Sequence, residues 1–414
     1  MSASEINFDD LLLVMVVAAA VPLLLGLVPK VPIPSSVLEI TAGILIGPAV
    51  LNWVSDDSVI NVFAKLGVAL LLFLAGLELD FAKLRGRPLR LASISFAASL
   101  LVGLAIALPL GALGVILNPL FVAIVLSSTS LGIVVPVLKD AGMLGSRAGT
   151  LIVATCSVAE FGSIVVLSMF FSRTGSADPA VTILKLSLLA LVVAAVAFLA
   201  SRKGTWRRRV DEVLFRLQDS SAQLRVRVAM VLMIALLVVS ESLKFDAILG
   251  SFLAGALLSA VTDPAREEEF GHVRHKLEGI GFGFFVPIFF VATGLTFPID
   301  QLLSDGSTAV RVPLFLAILL AVRGLPVLVL RRDLTRAELL PSALLQATSL
   351  SFIVVAAQIG VAVHELKPIN AASLIAAGML SVLLFPALAL RLLARDGAHA
   401  RPGAEPDERA VEGM

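Results

Sequence analysis

Cysteine is nearly absent. The single Cys156 lies inside an apolar stretch, which excludes disulfides and cysteine-based metal clusters and makes it a small core residue. Charge is scarce too, at 15% of the 414 residues, and a balance of +1 gives no basic or acidic excess of the kind that binds nucleic acid. Of the histidines, His272 and His275 fall in a connection, His364 in an outer loop and His399 in the tail. They form no metal constellation, although a histidine so placed can sense pH. The first ten residues carry Glu5, Asp9 and Asp10 and lack both a basic start and a small-residue cleavage site, so they read as a retained, non-cytoplasmic start rather than a signal peptide.

What is present is apolar: 58% of the chain is hydrophobic and the mean hydropathy is +1.00, against roughly half in a soluble domain. Runs of membrane-spanning length fall near 9–28, 34–52, 60–79, 89–113, 119–138, 148–171, 180–200, 226–243, 247–262, 279–297, 309–330, 338–362 and 368–394. They predict an all-α polytopic membrane protein with about thirteen transmembrane helices. With the N-terminus outside, most of the 32 Lys and Arg fall on cytoplasmic segments, and only Arg173, Lys244, Arg311 and Lys367 remain on outer ones. The positive-inside rule therefore selects an inner-membrane protein with a cytoplasmic C-terminus. The basic loop Ser201–Arg227 reads as a topogenic, solvated connection rather than an anionic-lipid patch. Residues 1–395 form one transmembrane domain, and 396–414, rich in Gly, Pro, Ala and charge, are expected to be a short disordered tail.

The domain echoes itself. Phe73-Leu-Ala-Gly-Leu-Glu-Leu-Asp80, ending the third run, returns as Phe290-Val-Ala-Thr-Gly-Leu-Thr-Phe-Pro-Ile-Asp300, ending the tenth. Ser128-Thr-Ser-Leu131 in the fifth returns as Ala347-Thr-Ser-Leu350 in the twelfth, at the same separation to within one residue. A shift of seven helices reverses direction, which predicts inverted repeats near 9–171 and 226–394 joined by a linker helix at 180–200, the design of secondary transporters. In that design, discontinuous helices expose half-helix ends at the midplane. Ser127, Ser128, Thr129, Ser130, Gly132 and Pro136 interrupt the fifth run, and Gln346, Thr348, Ser349 and Ser351 the twelfth. Serine and threonine also pack helices without any ligand, but repetition at one register favours two crossing broken helices.

An ionisable side chain in mid-membrane is costly and seldom without use. Two stand out: Glu160 in Thr155-Cys-Ser-Val-Ala-Glu-Phe-Gly-Ser163 of the sixth run, and Arg323 in Ala321-Val-Arg-Gly-Leu-Pro326 of the eleventh. Burial makes the charged form of a carboxyl expensive, so at Glu160 a proton and a cation compete for one group. Arginine does not titrate in proteins, so Arg323 is expected to be a fixed charge, structural and electrostatic rather than proton-carrying. Lys65, Lys185, Glu39, Glu78, Asp80, Glu241 and Asp246 lie near predicted ends and are expected mostly at the surface.

These stretches resemble the monovalent cation/proton antiporters, including bacterial sodium/proton exchangers and the membrane part of Kef-type potassium efflux systems. The resemblance rests on Ala42-Gly-Ile-Leu-Ile-Gly-Pro48, Gly67-Val-Ala-Leu-Leu-Leu-Phe-Leu-Ala-Gly-Leu-Glu-Leu-Asp80, Ser127-Ser-Thr-Ser130 and Pro287-Ile-Phe-Phe-Val-Ala-Thr-Gly-Leu295. It implies a homodimer whose protomers each pair a dimerisation domain with a mobile core domain, the broken fifth and twelfth helices crossing beside an ion-binding acid. The family's acidic pair falls on Ala159-Glu160, so a longer acid replaces the usual aspartate and its companion has lost all polarity. Arg323 matches the family's basic residue without its usual acidic companion, which makes Glu160 its expected partner. The reading is an antiporter exchanging Na+ or K+ for H+ by alternating access, with no cofactor. Glu160, Thr129, Ser130, Thr348 and Ser349 form the site, and Ser157 and Arg323 support it. With no second acid in mid-span, one-for-one electroneutral exchange is expected. An organic-anion carrier meeting its substrate at Arg323, or a transport-inactive sensor or assembly protein, are the alternative readings.

Overall fold

A computed structural model describes residues 8–27, 34–54, 58–79, 86–171, 187–189, 191, 193, 195, 223–243, 245, 247–262, 267–299 and 306–399. Among the described residues the chain is helical and without strands. In chain order the helices are α1 (Asp9–Leu27), α2 (Ser35–Ile46), α3 (Ser58–Leu77), α4 (Arg87–Ala112), α5 (Pro119–Leu126), α6 (Leu131–Asp140), α7 (Arg147–Phe170), α8 (Leu224–Ser242), α9 (Ala247–Val261), α10 (Glu267–Ile280), α11 (Val286–Leu295), α12 (Gly306–Gly324), α13 (Arg336–Gln346), α14 (Ser351–Ala362) and α15 (Pro368–His399). A π turn, Gly281–Phe285, joins α10 to α11, and a 3-10 turn, Leu325–Leu330, extends α12. Nine spans among the described residues are long and apolar enough to cross a membrane, and Ser35–Ile46 and Leu249–Val261 are shorter apolar helices. The linker helix expected at 180–200 lies outside the described residues apart from six helical positions, as do the loop 201–222 and the tail from residue 400.

Local chemistry sets the helix starts. Asn118 caps α5 by accepting from the Phe121 N–H at 3.0 Å, with Pro119 at the first helical position. Ser146 caps α7 through the Gly149 N–H at 3.0 Å. Thr335 and Glu338 close a capping box on α13. Burial then sorts the helices. In α5, Phe121 to Leu126 are all buried, so this half-helix is enclosed by protein on every side. On α1, Leu12, Leu23, Leu24 and Leu27 stand exposed, as the lipid-facing side of a membrane helix does.

Two helix pairs approach to backbone contact. A Cβ at Gly43 or Gly294 would meet the carbonyls of Val291 and Ile40, where α2 lies on α11, and a Cβ at Gly76 or Gly255 would meet those of Phe252 and Phe73, where α3 lies on α9. Only glycine permits these crossings.

Two expectations are corrected. Glu39 is buried, at 4% exposure, because it lies among Val37, Ile40 and Gly43, the buried residues of α2, a helix that packs on α11 and α1. Glu78 is also largely enclosed, its side chain 20% exposed, because α10 extends the tenth span well beyond its expected start and closes over the end of α3. The stretch holding His272 and His275 is thus helical rather than a loop. Glu241 is exposed as expected, and Asp80 and Asp246 lie outside the described side chains.

Candidate functional site

The site is built where two helices stop and restart. The span 119–140 breaks at Ser127–Ser130, between α5 and α6, and the span 336–362 breaks at Ala347–Leu350, between α13 and α14. Backbone groups released at a break must be satisfied internally when no water is at hand. Each break uses its own hydroxyls and those of the other. Ser127 Oγ donates to the Ala123 carbonyl at 2.7 Å, Ser128 Oγ to that of Val125 at 2.8 Å, and Thr348 Oγ1 to that of Leu344 at 3.1 Å. Across the crossing, the Ser130 N–H donates to the Thr348 carbonyl at 3.0 Å, and the Ser128 and Ser349 hydroxyls meet at 3.0 Å. Ser130 Oγ accepts from the N–H groups of Leu350 at 2.9 Å and Ser351 at 3.3 Å, capping α14 from the opposite break. Ser381 on α15 clasps Ser349, accepting from its N–H at 3.2 Å.

Glu160 lies on α7, 5% exposed, and receives the Leu131 N–H on Oε2 at 3.1 Å. That N–H begins α6, so the carboxylate sits at the positive end of a half-helix. Ser157, three residues earlier on α7, is buried beside Ala159 and Cys156.

Arg323, at the end of α12, is 0% exposed. Its Nε donates to Thr129 Oγ1 at 2.8 Å and to the Gln346 carbonyl at 3.3 Å, and one Nη donates to Ser99 Oγ on α4 at 2.9 Å. The Gln346 carbonyl closes α13, so the guanidinium meets the negative end of a half-helix. Among the described residues no ion pair joins Arg323 to a carboxylate. The expected Glu160–Arg323 pair is therefore not formed. Each charge is turned to a half-helix end of opposite sign instead of to the other charge.

The structure brings Thr129, Ser130, Thr348 and Ser349 into one crossing, but not all as free ligands. Thr129 Oγ1 accepts from Arg323 and donates to the Gln346 carbonyl at 2.6 Å, so its hydroxyl is spent on holding the break. Sequence reasoning missed Ser99 and Ser381, serines scattered in apolar helices whose patterns carry no signal. It also missed Glu78, whose carboxylate oxygens lie 3.6 and 3.8 Å from where a Cβ on Gly132 would stand, at the first turn of α6.

Two interrupted helices crossing in mid-span, with a buried acid at one half-helix N-terminus and a buried base at one half-helix C-terminus, define a multi-pass membrane protein of the crossed-discontinuous-helix class. Residues 15–393 match the sodium/hydrogen exchanger transmembrane family, and the chain belongs to it. It is 29% identical over 402 residues to the putative Na+/H+ antiporter YjbQ of Bacillus subtilis, an alignment that covers 94% of this chain and 63% of YjbQ. It is 28% identical to the probable Na+/H+ antiporter 3 of Methanocaldococcus jannaschii, covering 65% of this chain and 67% of that one. It is 27% identical to the Na+/H+-K+ antiporter GerN of Bacillus cereus, covering 64% and 66%. Its fold is similar to the solved structure of the sodium proton antiporter MjNhaP1 from Methanocaldococcus jannaschii, with a TM-score of 0.65 at 19% identity over 92% of this chain and 96% of that one.

Proposed function

We propose that this chain is a secondary antiporter that exchanges a monovalent cation, Na+ or K+, for H+ by alternating access, with Glu160 carrying either ion in turn. The observation that carries this reading is the setting of Glu160: a buried carboxylate met by a backbone N–H at 3.1 Å and by no Lys or Arg among the described residues. A paired carboxylate would be a fixed structural charge, whereas an unpaired one takes up a counter-ion. A proton and a monovalent cation are interchangeable for that purpose, which is exchange chemistry. The names of the relatives point the same way, to Na+ and, for GerN, also to K+.

In this reading, Ser130, Thr348 and Ser349 offer oxygens from the crossing, and Thr129, Ser157 and Arg323 hold its shape. The matched crossings of α2 on α11 and of α3 on α9 support the inverted repeat, since each pairs a helix of one half with a helix of the other. In this reading the protein works in the inner membrane as a homodimer with its N-terminus outside, the orientation that the distribution of Lys and Arg favours. The anion-carrier reading is weakened, because Arg323 is fully buried and its Nε and one Nη are already bonded to Thr129, Gln346 and Ser99, which leaves a single Nη without a partner.

The test is the purified protein in liposomes with a trapped pH dye, given Na+, K+ and Li+ in turn. Cation-dependent proton movement is expected with at least one of them. Proton movement that follows the added anion and ignores the cation would overturn the reading.

A further inference from the structure

We propose that the arginines gathered around Asp333 form a binding site for the headgroup phosphate of an anionic phospholipid, at the end of the bundle that the distribution of Lys and Arg assigns to the cytoplasm. The starts of α4, α7 and α13 meet the turn after α12 here, over a small apolar cluster in which Ala148 and Leu151 of α7 pack with Val327, Leu330 and Leu334. Asp333, its side chain 3% exposed, takes an Nη of Arg87 at 2.9 Å and an Nη of Arg147 on the same oxygen. Arg331 and Arg332 precede it in the chain, Arg336 opens α13, and Arg90 lies about one turn after Arg87 on α4.

Charge and donors are left over at this end. Segments 86–91, 143–148 and 325–340 hold six arginines against two acids, Asp333 and Glu338. Glu338 spends its carboxylate on the Thr335 N–H at 2.8 Å and the Thr335 hydroxyl at 2.9 Å, so Asp333 alone answers the arginines. Arg87 and Arg147 each give Asp333 a single Nη. Their other donors, with the whole side chains of Arg90, Arg331, Arg332 and Arg336, meet no hydrogen-bond or ion-pair partner among the described residues, and all six residues are exposed. A guanidinium presents its donors in a planar fork that fits the oxygens of a phosphate. Asp333 holds two of these forks side by side, so part of the ordering cost is met before a ligand arrives.

Apolar side chains beside the arginines decide between a lipid and a free phosphate. Leu89, between Arg87 and Arg90, is 40% exposed; Leu328, one turn before Arg331, is 57% exposed; and Leu340, one turn after Arg336, is 56% exposed. Acyl chains hanging from a bound headgroup lie along such leucines, whereas a soluble anion has no use for them. The helices under the patch also frame the crossing: α4 carries Ser99, α7 Glu160, α12 Arg323 and α13 the Gln346 carbonyl. A headgroup gripped at the starts of α4, α7 and α13 therefore ties these helices together and stabilises the folded protein by mass action.

The experiment follows the melting temperature of delipidated protein in a neutral detergent as phosphatidylglycerol, phosphatidylcholine or inorganic phosphate is added. It compares wild type, a triple variant carrying Arg90→Gln, Arg331→Gln and Arg332→Gln, and Arg227→Gln. The three arginines of the triple variant are exposed and leave the contacts of Asp333 intact, while Arg227 is an exposed charge at the start of α8, outside the patch. Phosphatidylglycerol is expected to stabilise the wild type at far lower concentration than either other compound. The amount needed for half of that rise should increase about tenfold or more in the triple variant and less than about twofold in Arg227→Gln. Stabilisation by phosphatidylcholine or by inorganic phosphate equal to that by phosphatidylglycerol would overturn the proposal. So would wild-type half-saturation in the triple variant, or a shift of the same size in Arg227→Gln. If the triple variant fails to fold, Arg332→Gln takes its place, with a shift of about fivefold expected for one surface charge; no shift there would overturn the proposal.

Discussion

Glu160 and Arg323 carry opposite charges beside one crossing, yet each turns away from the other, and that separation has consequences for stability. Breaking a buried ion pair costs about 3–5 kcal/mol, because the remaining charge is stranded. No such pair exists here, so Glu160→Gln should melt at or above the wild-type temperature in detergent. Arg323→Ala should melt well below it, since Thr129, Ser99 and the Gln346 carbonyl all lose a donor, at about 1–3 kcal/mol for each buried group left unsatisfied. Arg323→Lys should recover only part of that loss, because an ammonium on a flexible stem does not span the three acceptors that the planar guanidinium bridges. Thermal melts of the three variants check this; a large loss in Glu160→Gln would mean that the charges are paired after all. The sequence made both charges visible as ionisable residues in apolar runs. Their partners are properties of packing: a helix pattern does not tell which half-helix end a side chain faces, and it made Glu78 look like a surface residue because α10 closes over it only in three dimensions.

Among elements, the two breaks were the most legible feature, since Ser127 to Ser130 and Gln346 to Ser349 put polar side chains where a spanning helix wants apolar ones. How they support each other was not legible, because Ser130 caps a helix more than two hundred residues away. Ser130→Ala should strand the Leu350 and Ser351 N–H groups, costing about 1–3 kcal/mol, while Ser130→Thr keeps the acceptor; the melting temperatures should rank accordingly. At the crossing of α2 on α11, Gly294→Ala forces a methyl group against the Ile40 carbonyl. Backbone gives way less easily than side chains, so a loss at the upper end of the usual overpacking cost of about 1–3 kcal/mol is expected, read as a lower yield of monodisperse protein on size exclusion. At a loop end, Asp333 binds Arg87 and Arg147, joining the starts of α4 and α7 to the turn before α13. Burial pushes the Asp333 carboxyl up, but the hydrogen bonds and charges of the two arginines outweigh it and hold the group below its ordinary value. A depressed folded value stabilises the protein above the unfolded aspartate pKa, about 3.9, and that stability is lost as pH falls through the folded value. The difference in melting temperature between wild type and Asp333→Asn should therefore be constant from pH 8 to 5 and shrink below about pH 4.

For the whole molecule, fold class and family followed from composition, run length and a few glycine-containing stretches, because a membrane imposes length and apolarity on every span. Electroneutral exchange is the molecular-scale expectation, since the site holds the same net charge whether a proton or a cation occupies it. Proton flux driven by Na+ should then change little when the membrane potential is clamped at different values, although an uncompensated charge would feel about 2.3 kcal/mol per 100 mV; steady-state current on a solid-supported membrane would show that more than one proton moves per cation. All of this depends on Glu160 being the group that changes hands. The most direct measurement is Na+- and K+-driven proton movement by Glu160→Gln in dye-loaded proteoliposomes, with folding checked on the same sample. A correctly folded protein with no cation-dependent proton movement is the predicted result, and exchange at the wild-type rate would contradict the account.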